Sequence, residues 1–465
     1  MRSGMMKILD NMQKEVKGMA VQTAASLLTK DPEKNVDKIF AAVKKMTKDD
    51  DQLRQIAGVE KRYRDNPATQ AYIQNILKHT DTKCMKKFFV NFLSNANWYA
   101  GAKRKIYLET EDTKIPFVML ISPSMRCNLR CTGCYAGNFK KEDDIPEAEV
   151  ERLVSEAREL GIYWVIVLGG EPFFNKYLLD IYEKYDDMMF TPFTNGTLID
   201  EETADRLQSL GNVFPMISLD GWEEANDIRR GKGIYSKVMH AMDLLDERGV
   251  LFGVSTAVSM KNFDDVTSDK FIQMCIDKGS KMSWFFQFMP VGKDPDFDMM
   301  LTPEKRRELG RRVSHMRSAM PYFAIDFFND APYVGGCIAG KYYFHVNTYE
   351  DVEPCIFSHF AADNLKDGKH LIDVFRSPFF KELRARQPYN QNMLRPCSMI
   401  DNPNVIREIC EKTGAKPTDE GAHDMLYDAN FKQGLEKMAA DWQKVADQEW
   451  EERFHGQGND KFARG

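Results

Sequence analysis

From about residue 115 the chain repeats a single pattern. A short apolar run is followed by a polar or glycine-rich cluster, then by a charged stretch with helical character, and then by the next apolar run. The apolar runs are 117–121, 163–168, 188–193, 213–219, 251–258 and 283–289, rich in branched and aromatic residues. Their composition and length are those of buried strands. Between them, 147–159, 201–210, 236–248 and 269–278 read as helices. Strand, helix, strand in repetition folds as an α/β unit, a parallel sheet with helical crossovers. In such folds ligands bind at the carboxyl ends of the strands, which is where the first four runs carry their clusters.

The first of these clusters holds Cys127, Cys131 and Cys134, spaced C-x3-C-x2-C. Three thiolates in one short loop suit a single soft-metal centre, iron-sulfur or zinc. Zinc sites usually add a second cysteine pair or histidines, and the nearest downstream histidine is His240. A disulfide framework fits poorly with nine cysteines, an odd number, and no secretory signal sequence, so the chain reads as cytoplasmic and reduced. A 4Fe-4S cluster needs four ligands. Three local cysteines leave one iron open to a group that is not protein.

Composition narrows the class. Hydrophobic residues at 43% and charged residues at 29% suit a soluble protein of several domains, and no apolar run approaches a membrane span. A formal charge of -6 speaks against a nucleic-acid binder. The expected divisions are a helical region at 1–112, the α/β unit at 113–330, a small cysteine-bearing domain at 331–428 and a helical tail at 429–465. In the first region Met5, Ile8, Leu9, Met12, Val16, Met19 and Ala20 recur at helical spacing, as do Val36, Ile39, Phe40, Val43 and Met46. Met85, Phe88, Phe89, Phe92, Leu93, Ala96 and Tyr99 form an apolar stripe opposite Lys86, Lys87, Asn91 and Asn95. This amphipathic helix is expected either to cover the next domain or to lie on a membrane surface.

The clusters taken together resemble the radical S-adenosylmethionine (SAM) enzymes. The cysteine loop is followed in order by Gly169-Gly-Glu-Pro172, Thr194-Asn-Gly196, Ser218-Leu-Asp-Gly221 and Asp227-Ile-Arg-Arg-Gly231, covering roughly residues 115 to 329. The resemblance implies a partial (β/α)6 barrel in which Cys127, Cys131 and Cys134 hold a 4Fe-4S cluster and SAM chelates the open iron. It further implies that Gly169, Gly170, Glu171 and Pro172 contact the SAM ammonium, that Ser218 and Asp220 lie near the ribose, and that Asn195 and Arg230 are additional polar contacts. One electron from a flavodoxin- or ferredoxin-like donor would then cleave SAM to a 5'-deoxyadenosyl radical, which takes hydrogen from an unactivated carbon. The position before the third cysteine, often aromatic in that family, is here Gly133, and Tyr135 is expected to compensate beside the adenine.

A second cysteine pattern follows. Two short strands bracketed by Cys337 and Cys355, a helix near 371–386 and then Cys397 resemble the SPASM or twitch extension that carries an auxiliary 4Fe-4S cluster. Cys410 is either the fourth ligand or a core thiol on a helix; Cys84 and Cys275 lie outside both patterns. If Cys410 is not a ligand, the auxiliary cluster also has an open iron. The helical first region and the stretch 395–403 resemble radical SAM enzymes of membrane-lipid biosynthesis. The leading expectation is therefore radical chemistry on a lipid alkyl chain, with carbon-carbon coupling and peripheral contact at the inner membrane face. The alternatives are a peptide-modifying maturase or dehydrogenase and, more remotely, a non-catalytic iron-sulfur carrier.

Overall fold

The computed structural model describes residues 32–47, 50–137, 144–292 and 296–454. The helix expected from Met5 to Ala20 lies outside the described residues. The central sheet is built from β1 (Val118–Ile121), β2 (Trp164–Val167), β3 (Met189–Thr194), β4 (Met216–Ser218), β5 (Gly253–Val258), β6 (Met282–Gln287), β7 (Phe323–Asp326), β8 (Tyr343–Val346) and β9 (Val352–Glu353). Their spatial order is β7-β6-β5-β4-β3-β2-β1-β8-β9, with β1 to β8 all parallel and β9 antiparallel to β8.

The α/β reading therefore holds, but the sheet is larger than the six expected strands. Phe323–Asp326 continues it at one edge. Tyr343–Val346, expected as one arm of a hairpin in a separate domain, pairs in parallel with β1 at the other edge, Val118 opposite Tyr343. Ring contacts show that the sheet wraps around. Seven strand spacings separate β7 from β8, about 33 Å on a flat sheet. Phe327, just past β7, nevertheless meets Tyr343 of β8 with ring centroids 6.3 Å apart. Phe193 of β3 likewise reaches Trp284 of β6 at 5.8 Å. The sheet is a barrel with an aromatic interior.

Its outer face is covered by the crossover helices Glu147–Leu160, Tyr177–Lys184, Glu201–Leu210, Ile234–Glu247, Asp269–Asp277 and Pro303–Ala319. Met119, Val165, Phe190, Ile217, Val254 and Phe285 are fully buried beneath them in one continuous core. Local chemistry sets the helix ends. The Asp200 carboxylate accepts from Thr203 N at 2.8 Å to open Glu201–Leu210, and Gly211 closes it in a left-handed conformation (φ 74°).

The segment from Thr82 to Glu111 is continuous helix, with a wide π-type stretch at Phe89–Tyr99. This stretch overturns the expected amphipathic pattern. Asn91 and Asn95, placed on the polar face by a 3.6-residue period, are buried. Asn91 Nδ2 donates to Asp186 O and Met188 O, both at 2.9 Å, and Asn95 Nδ2 to Asp187 O at 2.9 Å. Widening the helix changes its period, and the inward amides then satisfy carbonyls at the start of β3. Phe92 packs edge-on against Phe117 and Trp164, so this segment lies across the amino-terminal end of the barrel.

At the other extreme of the chain, Ala429–Phe454 packs on Pro303–Ala319. The buried Arg306 guanidinium pairs with Asp401 and lies 4.3 Å from the Trp442 ring. No helix among the described residues is long and apolar enough to cross a membrane.

Candidate metal and cofactor site

The loop after β1 carries the first cysteine triplet and is clamped to the loop after β2. Gly170 N donates to Ser124 O at 3.0 Å and Glu171 N to Arg126 O at 2.8 Å. A Cβ on Gly169 would fall 2.2 Å from Ser124 O, and one on Gly170 2.2 Å from Arg126 O. The two glycines thus let the cysteine loop lie directly on the Gly169–Pro172 loop, backbone against backbone.

Glu171 ties in the third loop. Its Oε1 accepts from Thr194 Oγ1 (2.7 Å) and Phe173 N (3.1 Å), and its Oε2 from Asn195 N (2.7 Å). Burial raises this carboxyl to about 7, against the pull of those hydrogen bonds. Pro172 follows at the start of a short 3-10 turn and is buried. Asn195 stands beside the metal loop, its Nδ2 2.9 Å from Asn128 Oδ1 and 3.9 Å from Cys127 Sγ.

Cys127, Cys131 and Cys134 are half-buried and lie close enough to act on one another electrostatically. Burial raises the Cys127 thiol, with Glu171, Cys131 and Cys134 adding to the effect. Burial also raises Cys134, opposed by the nearby Arg229 and Arg230. Among the described residues no three Cys, His, Asp or Glu side chains converge tightly enough for a single metal ion. The donor set suits a polynuclear cluster, in which each iron takes one thiolate, better than a zinc ion.

The fourth cluster is centred on Asp220, whose carboxylate is already fully engaged. Its Oδ2 accepts from Arg229 Nη1 and from Arg230 Nε (2.6 Å), and its Oδ1 from Ala257 N (2.9 Å). A carboxylate at 0% exposure needs these partners. The residue expected near a ribose is thus the counter-charge that holds two arginines beside the cysteines. Ser218 lies half-exposed at the end of β4, in register with Ser255.

Tyr135 lies beside both loops, its hydroxyl near the Gly169 backbone. Its ring meets Phe357 at 6.2 Å, on the side of the second cysteine group, and burial raises its hydroxyl. The space beside Gly133 is taken by Phe288, from the end of β6; a Cβ on Gly133 (φ 65°) would fall 2.6 Å from that ring. Sequence reasoning missed Phe288, because nothing but the fold brings 288 next to 133.

The second triplet also comes together. Cys337, Cys355 and Cys397 are half-buried by residue, and Tyr343 Oη donates to Cys355 Sγ at 2.8 Å. Burial raises all three thiols, and Cys337 and Cys397 also feel other thiols of the group. Cys410 does not join them. It lies inside helix Pro403–Thr413, packed into the main core, and its thiol is raised to about 12 by burial alone.

One local geometry recurs in both cysteine groups. The backbone N–H two residues on donates to the sulfur at Cys127 (from Leu129, 3.4 Å), Cys355 (from Phe357, 3.4 Å) and Cys397 (from Met399, 3.4 Å). Such N–H···S bonds stabilise thiolates and tune clusters. Cys84, Cys275 and Cys410 lie within helices, where the backbone N–H groups are committed to the helix's own carbonyls.

The parallel barrel carries its three-cysteine loop after the first strand and its Gly-Gly-Glu-Pro loop after the second. Residues 121–274 match the radical SAM superfamily model, and the cofactors of such a domain are a 4Fe-4S cluster and SAM. The chain is 30% identical over 183 residues to the Fe-coproporphyrin III synthase of Methanosarcina barkeri, covering 36% of this chain and 46% of that protein, less than half its length. It is 26% identical over 301 residues to the mycofactocin maturase MftC of Mycolicibacterium smegmatis, covering 59% of this chain and 74% of that one. In three dimensions it is similar to Streptococcus suis SuiB bound to SAM, with a TM-score of 0.55 at 19% identity, over 64% of this chain and 75% of SuiB. That similarity is one of fold.

Proposed function

We propose that this chain is a radical SAM enzyme with two iron-sulfur centres, one held by Cys127, Cys131 and Cys134 and the other by Cys337, Cys355 and Cys397. The observation that carries this reading is the placement of the six cysteines in two mutually interacting loop groups, with N–H···S hydrogen bonds from the residue two further on at Cys127, Cys355 and Cys397. When bound, the first cluster and SAM supply a 5'-deoxyadenosyl radical fed by a low-potential flavodoxin- or ferredoxin-like donor. The protein's own residues then have separate tasks. Gly169 and Gly170 fix the metal loop against the SAM loop, and Glu171 locks the loops after β2 and β3 together while leaving part of Oε2 for an ammonium group. Arg229 and Arg230 offset the charge of the thiolates, Ser218 offers a hydroxyl, and Phe288 offers an aromatic face for adenine.

For substrate, a peptide is favoured over a lipid chain. MftC and the Bacillus subtilis protein SkfB, 24% identical over 281 residues, are named for maturation, and SuiB binds a precursor peptide. The lipid reading rested on the stretch 395–403 and on the amphipathic helix from Met85 to Tyr99, whose buried asparagines instead tie it to the barrel. The test is anaerobic reconstitution of the full chain with iron and sulfide. About eight irons per chain are expected for two 4Fe-4S clusters, with 5'-deoxyadenosine on addition of SAM and dithionite. Fully loaded protein that makes none overturns the enzyme reading. Peptide and lipid mass spectrometry of cells expressing the protein or its Cys127→Ala variant distinguishes the substrates: a changed lipid profile with unchanged peptides overturns the peptide reading.

A further inference from the structure

We propose that the barrel lumen grips a large, uncharged, ring-bearing group of the substrate and orients it through a hydrogen bond from Trp284 Nε1 to an acceptor oxygen. This rests on the reading above only in taking the lumen as the substrate chamber. Strand register decides which side chains enter it. Ser255 of β5 is opposite Trp284, and Ala257 opposite Phe286. The burial alternation of β6 puts Ser283, Phe285 and Gln287 in the outer core and leaves Met282, Trp284 and Phe286 partly accessible on the inner side. Phe193, Trp284, Phe286 and Phe327 form a continuous aromatic wall with centroid separations of 4.9–6.3 Å.

Below the wall, Gly253 makes room for two methionines. A Cβ there would fall 2.7 Å from Met216 Sδ and 2.8 Å from Met282 Cγ. Thioether side chains provide an adaptable apolar floor.

Two features define what the chamber accepts. The inward positions of β1 to β7 carry no charged side chain. His345 of β8, at the mouth, is tied to Ser122 Oγ (2.8 Å) and Glu353 Oε2 (2.7 Å). A charged group entering the lumen would lose its hydration without gaining a counter-charge. The second feature is an unmet donor. Trp164, lower in the barrel, gives its indole N–H to Thr191 Oγ1 at 2.9 Å, whereas the Trp284 Nε1 atom is buried without a partner among the described residues. Buried indole N–H groups usually have a partner. In a chamber whose other polar groups are the hydroxyls of Thr191, Ser218 and Ser255, one unpaired indole donor on the aromatic wall is a specificity element, because it rewards a ligand carrying an acceptor at that point.

The test uses three probes of nearly the same shape: acetophenone, ethylbenzene and protonated 1-phenylethylamine. Their dissociation constants for the reconstituted full chain with SAM are measured by ligand-observed NMR. Acetophenone is expected to bind at least as tightly as ethylbenzene despite its greater affinity for water, and the ammonium probe at least about tenfold more weakly. Trp284→Phe is expected to weaken acetophenone about 5–10-fold while leaving ethylbenzene within about twofold. Equal losses for both neutral probes, an ammonium probe that binds as well as they do, or no binding of any probe each overturn the proposal. The wild-type preference among the three decides the charge question even if the variant unfolds, which its thermal midpoint reports. Formation of 5'-deoxyadenosine is measured on the same preparation. Its loss with the probe preference intact would overturn the enzyme reading and leave the lumen assignment standing.

Discussion

Gly170→Ala is the smallest change that separates the two loops of the cofactor site without touching a metal ligand. The new methyl would stand 2.2 Å from Arg126 O, 2.5 Å from Arg126 C and 2.7 Å from Met125 C, all backbone atoms of the metal loop. Relief to ordinary contact requires a movement of about 1 Å, applied one residue before Cys127. The movement strains the Gly170 N to Ser124 O and Glu171 N to Arg126 O hydrogen bonds, worth about 1 kcal/mol each. Overpacking adds about 1–3 kcal/mol. A destabilisation of about 2–4 kcal/mol is expected, together with a loss of SAM cleavage on the order of 100-fold, the usual cost of a 1 Å misplacement in a positioned site. Gly233→Ala is the control. Unlike Gly170 it occupies a left-handed position (φ 79°), but nothing lies within 4 Å of its Cβ, so it costs only the backbone strain of about 1–2 kcal/mol. Thermal midpoints, iron content, the electron paramagnetic resonance signal of the reduced protein with and without SAM, and 5'-deoxyadenosine rates are compared for the two variants. The clamp argument is refuted if Gly170→Ala keeps full iron, a wild-type response to SAM and cleavage within about threefold of wild type.

Cys397→Ala is expected to remove about half of the iron, whereas Cys410→Ala keeps all of it and loses only core packing; equal iron contents in the two would refute the ligand assignment. Asp220→Asn leaves Arg229 and Arg230 beside a neutral partner in a buried site, at a cost of about 3–5 kcal/mol; a denaturant midpoint unchanged from wild type would show that the pair is solvated. Because the folded-state pKa of Glu171 is raised to about 7 from an ordinary 4.5, the folded chain binds the extra proton between those values. Stability of the cofactor-free protein should therefore fall as pH rises from about 4.5 through 7, by roughly 3 kcal/mol in total, and Glu171→Gln should flatten that part of the profile. A wild-type profile that is flat or rising over this window, measured by denaturant melts, contradicts the burial argument.

The parts of this fold that could be read from sequence are those where local pattern and tertiary role coincide. The six apolar runs are strands because nothing competes with burial on both faces. The two cysteine groups assemble because each sits on a loop whose turn geometry its own neighbours set. What could not be read depends on encounters between distant segments. Phe323–Asp326 is short, and its apolar run passes into the Phe327-Phe328 turn, so period alone does not isolate it. Tyr343–Val346 was legible as a strand, but its partner, β1, lies more than two hundred residues upstream. Asn91 and Asn95 looked exposed because the pattern was read at 3.6 residues per turn, and only the π-type stretch turns them inward. Phe288 carried no signal, since the residue that makes it informative is Gly133.

The eighth strand also explains how the two cysteine triplets are held in a fixed relation. β8 is hydrogen-bonded along β1 over four residue pairs, and β1 runs directly into the first metal loop. From β8, Tyr343 donates to Cys355 of the second triplet, while His345, two residues on and on the same face, is bonded to Ser122 at the root of the first. A parallel pair buried on both faces does not slide, because a one-residue slip would turn Tyr343 and His345 away from the lumen and Phe344 and Val346 into it. This register therefore sets the two cysteine loops at a constant offset along one edge of the barrel, with the Tyr135–Phe357 contact bridging them. A substrate group resting on the Phe193–Phe327 wall lies beside both loops without any domain closure. The distance between the two centres is thus a property of the sheet, unlike sites carried on separately moving domains.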